Sequence, residues 1–221
     1  MSDIMKSIPF GQLMEWILEE HKKTGQIFGI QKAYVADPDR TVEIFGRKLE
    51  TPVGPAAGPH TQLAQNLAAA YYAGGRFFEL KTVQKMDGPE LSACIPKPCI
   101  VAEDEAYNCE WSTELYVPQA MEEYIKAWMA IHVIAKEFGL GSPDGFQFNM
   151  SCGYNLEGIQ DPKIDAFIEG LKDAKDTEIF KECRTWLLEH AELFEHVTKE
   201  DIEAIPSEVC NSITLSTMHG C

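Results

Sequence analysis

The chain has 221 residues, 45% of them hydrophobic and 24% charged, with 16 Gly and 12 Pro, a composition that excludes disorder, collagen-like repeats and small stapled scaffolds. With 35 acidic against 19 basic residues the net charge is −16, which excludes phosphate-neutralising contact with nucleic acid and adsorption to an anionic membrane. Met1-Ser-Asp-Ile-Met-Lys-Ser7 lacks a basic segment followed by an apolar core, and the longest apolar run is far too short for a bilayer. The expectation is a cytoplasmic protein with no signal peptide and no membrane partner.

From Pro9 to about Lys22, Leu13, Trp16, Ile17 and His21 recur at helical spacing. Thr41-Val-Glu-Ile-Phe-Gly-Arg-Lys-Leu-Glu50 alternates around a glycine and reads as a hairpin of short strands. Thr51-Pro-Val-Gly-Pro-Ala-Ala-Gly58 follows, apolar and extended. Thr61 is expected to cap a helix over 62–73, with Leu63, Leu67, Ala70 and Tyr71 on one face and Gly74-Gly75 as its stop. Arg76-Phe-Phe-Glu-Leu-Lys-Thr-Val83 is the next strand. Strand, helix, strand is the unit that builds parallel sheets and barrels.

Residues 84–116 are irregular and rich in Pro and Cys, with a loop or hairpin over 100–109 and room for a short strand at 113–117. Pro118 opens a long helix to about Phe138 that turns Met121, Tyr124, Ile125, Trp128, Ile131 and Ala135 inward. Gly145-Phe-Gln-Phe-Asn-Met-Ser151 is a strand closing in a Cys-Gly-Tyr-Asn loop. Asp161-Pro162 starts a helix carrying Ile164, Phe167, Ile168 and Leu171, and Thr177 caps one carrying Phe180, Cys183, Trp186, Leu187 and Phe194. Thr198-Lys-Glu-Asp201 has the capping-box pattern before Pro206. Ser212-Ile-Thr-Leu-Ser-Thr217 is a strand running into Met218-His-Gly-Cys221 with no helix after it, so the expectation is a piece of a longer protein. The fold class is α/β: residues 51–221 as the N-terminal portion of a partial TIM-type (β/α)8 barrel, led in by a helix and β-hairpin over 1–50.

Seven cysteines, at 94, 99, 109, 152, 183, 210 and 221, are odd in number and irregularly spaced, as free thiols of a reducing compartment are. Cys94 and Cys99 form a C-x4-C pair, but without a C-x2-C pair packing or surface thiols are favoured over an iron–sulfur or zinc site. No metal site is expected.

In a barrel, function sits after the strands, at their C-terminal ends. Four segments fall there. The small residues Ala56, Ala57 and Gly58 let a flat ligand lie on bare backbone amides, or form a plain tight turn. Lys81, followed by Thr82, stabilises negative charge at the mouth, or reaches solvent as most strand-end lysines do. Asn108 binds a heterocyclic ring through its amide, or serves as a turn residue. Asn149 points from a strand end toward a ligand with Cys152 on the loop above, where a thiol can transfer a proton; a structural buried cysteine is the competing reading. His132 lies near the apolar face of the long helix as a core histidine, while His60 and His219 fall at the active end without metal-site spacing.

Together these segments resemble the FMN barrel of the dihydroorotate and dihydropyrimidine dehydrogenases, in which a Pro-containing strand ends in Ala-Ser-Gly-like residues, a Lys-Thr or Lys-Ser strand end follows, and Asn-Leu-Ser-Cys-Pro comes later. Here the order is Thr51-Pro-Val-Gly-Pro-Ala-Ala-Gly58, Phe78-Glu-Leu-Lys81-Thr82 and Phe148-Asn-Met-Ser-Cys152. These segments, with Thr214-Leu-Ser-Thr-Met-His-Gly-Cys221, are also similar to large flavin and iron–sulfur proteins named as selenate reductase subunits. The resemblance implies backbone contact of Ala56, Ala57 and Gly58 with FMN, Lys81 and Thr82 at the polar edge of its ring, Asn108 and Asn149 facing flavin or substrate, and Cys152 as the proton-transferring thiol. It departs at Gly153, where the family has Pro, and at Asn155, one place late.

The expected activity is FMN-dependent oxidoreduction, with hydride passing between flavin and a small heterocyclic or related substrate. FAD, 4Fe-4S clusters and the redox domains that carry them would be the partners, in the remainder of a longer protein. The rivals are a degenerate barrel serving as scaffold for electron-transfer domains and a non-redox enzyme using Lys81 as a Schiff-base or phosphate lysine.

Overall fold

The computed structural model describes residues 6–94 and 112–216. Helix α1 (Phe10–Thr24) is closed by Gly25 and leads to an antiparallel hairpin of β1 (Val42–Ile44) and β2 (Arg47–Leu49). Phe45 and Gly46 both have positive φ, 51° and 78°, the twist that a two-residue turn between tightly paired strands demands. The body then alternates α2 (Ala64–Tyr72), β3 (Phe77–Glu79), α3 (Gly88–Cys94), α4 (Val117–Glu137), β4 (Gln147–Gly153), α5 (Leu156–Ile159), α6 (Pro162–Lys172), α7 (Glu178–Glu189), α8 (Lys199–Glu203) and β5 (Cys210–Ser216). Its sheet runs β3-β4-β5, all parallel.

A fourth chain segment lies along the free side of β3. Phe77 N donates to Val53 O at 3.2 Å and Glu79 N to Pro55 O at 3.1 Å, so residues 52–55 occupy the place of a strand, as the Pro-flanked sequence predicts for an edge. Gly54 is required there: a Cβ would lie 1.5 Å from the Phe77 carbonyl oxygen. Among the described residues this makes half the strand positions of a (β/α)8 barrel, consistent with a partial barrel, and no closed barrel is formed.

Helices cover one face of the sheet. Phe78 of β3 and Phe148 of β4 pack edge to face at 5.3 Å, and Trp128 of α4 lies 5.6 Å from Phe148; each such fully buried side chain contributes about 1.5–3 kcal/mol. The stripe expected on α4 is in fact nearly all-round burial, reaching Glu123, Lys126 and His132, because α2, α6 and α7 all flank it. The buried charges are paired: Lys126 Nζ lies 2.5 Å from Glu123 Oε1 and donates to Ile8 O at 2.8 Å. Glu123 Oε2 also accepts from Ala64 N at 2.8 Å. This corrects the expected Thr61 cap of α2. The N-terminus of that helix is served by a carboxylate from α4, while Thr61 Oγ1 turns back onto Gly58. Thr177 and Thr198 cap α7 and α8 as expected. Residues 113–117 form no strand but turn into α4, whose first amides are met by Gln119 and by Asp87. Helix α3 lies within a stretch that reads as irregular in the sequence.

At the N-terminal ends of the strands a buried polar network forms around Arg76. The fully buried Arg76 donates from Nε to Glu50 Oε2 (2.7 Å), from Nη1 to Tyr71 O (2.9 Å) and Gly75 O (3.0 Å), and from Nη2 to Leu140 O (3.3 Å). The other Glu50 oxygen accepts from Ser142 N. At this end the hairpin meets the sheet, with Asn211 Nδ2 donating to Phe45 O and the Phe45 and Phe77 rings 6.4 Å apart. Among the described residues no helix is long and apolar enough to cross a membrane.

Candidate functional site at the C-terminal ends of the parallel strands

Successive strand residues face opposite sides of a sheet, and β4 uses this to separate two chemistries. Phe148, Met150 and Cys152 enter the hydrophobic layer under the helices. Gln147, Asn149 and Ser151 face the other way and bond to polar partners: Gln147 Nε2 to Asn211 Oδ1 (2.7 Å) and Ser212 Oγ (3.0 Å), Asn149 Nδ2 to Thr214 Oγ1 (2.8 Å), and Ser151 Oγ to Thr82 Oγ1 (2.9 Å). The inner face is therefore a band of amides and hydroxyls.

Lys81 lies at a break in the ladder beside that band. Glu79 pairs with Asn149, but Val83 pairs with Cys152, so β3 carries one residue more than β4 over this interval, which is a β-bulge. Leu80 and Val83 both enter the helix-side core, and the extra residue lets Lys81 and Thr82 leave it. Lys81 N donates to Thr61 O (3.3 Å) and its carbonyl accepts from Tyr124 Oη (2.7 Å). The lysine is only 3% exposed. At so low an exposure little water screens its charge.

The rest of the rim follows from the loops. Gly58 is buried with its N–H bonded to Thr61 Oγ1, Ala57 is half-buried and Ala56 exposed. His60 is exposed beside Gly58. Tyr154, after β4, has φ of 100°, a backbone state that non-glycine residues adopt at strained sites, and its ring lies 4.3 Å from Lys85 Nζ. Asn155 is used locally: its Oδ1 accepts from Gly158 N at 2.8 Å and caps α5. Asn108 and His219, expected at this end, lie outside the described residues.

Cys152 stands apart from the candidates gathered here. Its side chain is fully buried on the helix side of β4, opposite to Asn149 and Ser151, and desolvation pushes the thiol up to about 12, so it is neither a ready thiolate nor on the inner face. Gly153 explains the difference from the family pattern. Its N–H donates to Val83 O at 2.8 Å, a bond that Pro cannot make, and β4 therefore runs through position 153 with Cys152 inside the strand. Cys183 and Cys210 are likewise buried free thiols held protonated by burial. His132 is a core histidine: Nδ1 bonds Trp128 O at 2.8 Å and burial lowers the imidazole to about 4.

Two buried amides at this end are incompletely bonded among the described residues. Gln62 Oε1 accepts from Thr113 Oγ1 (3.1 Å) and Glu114 N (2.7 Å), yet its Nε2 has no partner. Gln84 Nε2 donates to Ser112 Oγ (3.1 Å), yet its Oε1 has none. Buried polar atoms in native proteins are nearly always satisfied. Neither glutamine nor Ser151 is singled out by the sequence motifs. The alternation of Gln147, Asn149 and Ser151 with Phe148, Met150 and Cys152 was the available signal for the polar face.

The model of the family "Oxidoreductase YgfK, N-terminal TIM-barrel domain" matches residues 28–221. Over 235 aligned residues the chain is 46% identical to the protein named "Putative oxidoreductase YgfK" of Escherichia coli strain K12, and equally so to its counterpart in Escherichia coli O157:H7. Each match covers 100% of this chain and 22% of the relative, so the chain spans about a fifth of the length of those proteins.

Proposed function

From the premise that this chain belongs to the family of the oxidoreductase YgfK N-terminal TIM-barrel domain, we propose that it forms the flavin-facing half of an FMN-dependent oxidoreductase barrel. The observation that carries this reading is the bulge that holds the buried Lys81 next in the chain to Thr82, whose hydroxyl meets Ser151, at the C-terminal ends of parallel strands. Flavin, when bound, supplies the hydride acceptor or donor for a small heterocyclic substrate, with selenate the alternative that the resemblance in the sequence raises.

The donor set fits such a ring. An isoalloxazine offers carbonyl and ring-nitrogen acceptors together with one N–H donor along its polar edge, and Lys81, with Gln62 Nε2 and Gln84 Oε1, which have no partner among the described residues, is complementary to those. Lys81 places positive charge where negative charge accumulates, and its burial strengthens that interaction. Asn149 is held by Thr214, and Thr82 by Ser151, so both are pre-oriented rather than ordered on binding. The small side chains of Ala56 and Ala57 allow close backbone approach. Cys152, in this geometry, supports the sheet and takes no proton from the inner face.

Completion of the barrel belongs to the same proposal. Val53 on one edge segment is 65% exposed, and Ile213 and Leu215 on the opposite edge strand are 39% and 55% exposed. Further strands and helices of a longer polypeptide, carrying FAD and iron–sulfur electron-transfer parts, would cover both. The experiment is a visible absorption spectrum of the full-length protein with identification of the released cofactor, repeated for Lys81→Ala. Released FMN in the wild type and at least tenfold weaker retention in the variant, about 1.4 kcal/mol, are the expected results. A colourless protein that stays colourless with added FMN would move the reading to a scaffold.

A further inference from the structure

The Lys81 bulge has the hydroxyl of Tyr124 behind it. Leu80 N and Val83 N stay in the ladder, donating to Asn149 O and Ser151 O at 3.0 Å each, while the Lys81 peptide leaves it in both directions. Its N–H turns toward Thr61 O, and its carbonyl turns toward the helix layer, where Tyr124 Oη donates to it at 2.7 Å. Tyr124 sits fully buried on α4 with its ring 6.1 Å from that of Phe167 on α6. A carbonyl fixed toward the helices fixes the rotation of its own residue, and the lysine side chain is sent away from the helix-side core.

We propose that Tyr124 is a positioning residue of the site, setting through the Lys81 carbonyl the bulge that presents the Lys81 ammonium at the strand ends. The geometry of this inference is independent of the cofactor; its consequence for flavin rests on the reading above. Without the hydroxyl, the Lys81 carbonyl is left buried beside α4 without that donor. The ladder then gains by sliding toward a regular pairing that removes the bulge and displaces the lysine.

Tyr124→Phe in the full-length protein tests it by two readouts. Acylation of Lys81 by an amine-reactive ester, followed peptide by peptide in mass spectrometry, should accelerate about tenfold as the bulge relaxes, and FMN should bind about tenfold more weakly with a shifted midpoint potential. Phe167→Leu loosens the packing of the same ring but keeps the hydroxyl, and should leave both readouts at wild-type values. Tyr124→Met, which fills the space with an adaptable side chain and no donor, replaces Tyr124→Phe if the latter does not fold. Wild-type acylation and potential in the Tyr124 variant would overturn the proposal, as would equal changes in Phe167→Leu. Normal FMN retention in Lys81→Ala would sink the flavin reading alone, and the acylation rates would still decide the role of Tyr124.

Discussion

At the N-terminal ends of the strands the Arg76 guanidinium spends its N–H groups on Glu50 and three backbone carbonyls, whereas at the C-terminal ends Lys81 sits on a bulge, and the buried Gln62 Nε2 and Gln84 Oε1 have no partner among the described residues. Both ends bury a cation, and the difference is in the kind of cation and in how the backbone around it is held. A guanidinium has a planar fork that neighbouring oxygens can saturate, so a buried Arg can be closed off as a structural hub; an ammonium is a point charge on a long stem that can be aimed. A saturated guanidinium at one end serves stability, whereas barrels carry their ligand sites at the other, the C-terminal ends of the strands.

The sharpest way to break this comparison is Arg76→Leu. It strands the Glu50 carboxylate without its cation in a buried site, and the expected loss is about 3–5 kcal/mol, read as a lower urea midpoint at unchanged slope. Flavin content per folded molecule should not change. Lost flavin binding at unaltered stability would show that the N-terminal end is not only structural.

His132 extends the comparison to pH. It packs 5.0 Å from Phe146 at the start of β4, and burial holds it neutral to about pH 4 against an ordinary value of 6.5, with Asp144 opposing the shift. Above pH 6.5 folded and unfolded chains are both neutral here and the contribution is fully present. As pH falls from 6.5 toward 4 the unfolded chain takes the proton and the folded one does not, so stability declines by on the order of 3 kcal/mol. His132→Gln should flatten that part of a stability–pH curve; an unchanged slope would remove His132 as its cause.

The smallest effect is expected at Cys152. Replacing the thiol by a hydroxyl in Cys152→Ser puts a polar group among Phe148, Met150 and Val83, at about 1–3 kcal/mol, while flavin binding and turnover remain. Slowed turnover at wild-type stability would return the proton-transfer role to this residue and contradict its placement on the helix side.

Much of the fold was legible because its signals are local. The Phe-Gly turn of the hairpin, Thr177 and Thr198 as caps, Pro118 in the first turn of α4 and the glycine-bounded strands all act within a few residues of where they are read. What failed was decided at a distance. Thr61 has the right side chain to cap α2, but Glu123, 59 residues beyond Ala64, reaches Ala64 N instead. The α4 stripe suggested one buried face, and three neighbouring helices buried nearly all of it.

The site divides in the same way. Lys81, Thr82 and Asn149 were singled out by their position at strand ends in the sequence, and the structure puts the Thr82 and Asn149 side chains among the polar partners of the sheet. Cys152 was placed above the ligand by motif, although the alternation through Gln147, Asn149 and Ser151 already assigned it to the face of Phe148 and Met150. Gln62 and Gln84 carried no motif, and their unfinished bonding exists only once Thr113, Glu114 and Ser112 are folded against them. The sequence by itself determined the order of strands and helices and which residues end the strands, because periodicity, caps and glycines act through neighbouring residues. Only the tertiary structure decided that Lys81 leaves the core while Cys152 stays in it, because one added residue in β3 against β4, held by Tyr124 and Thr61, changes which way side chains point.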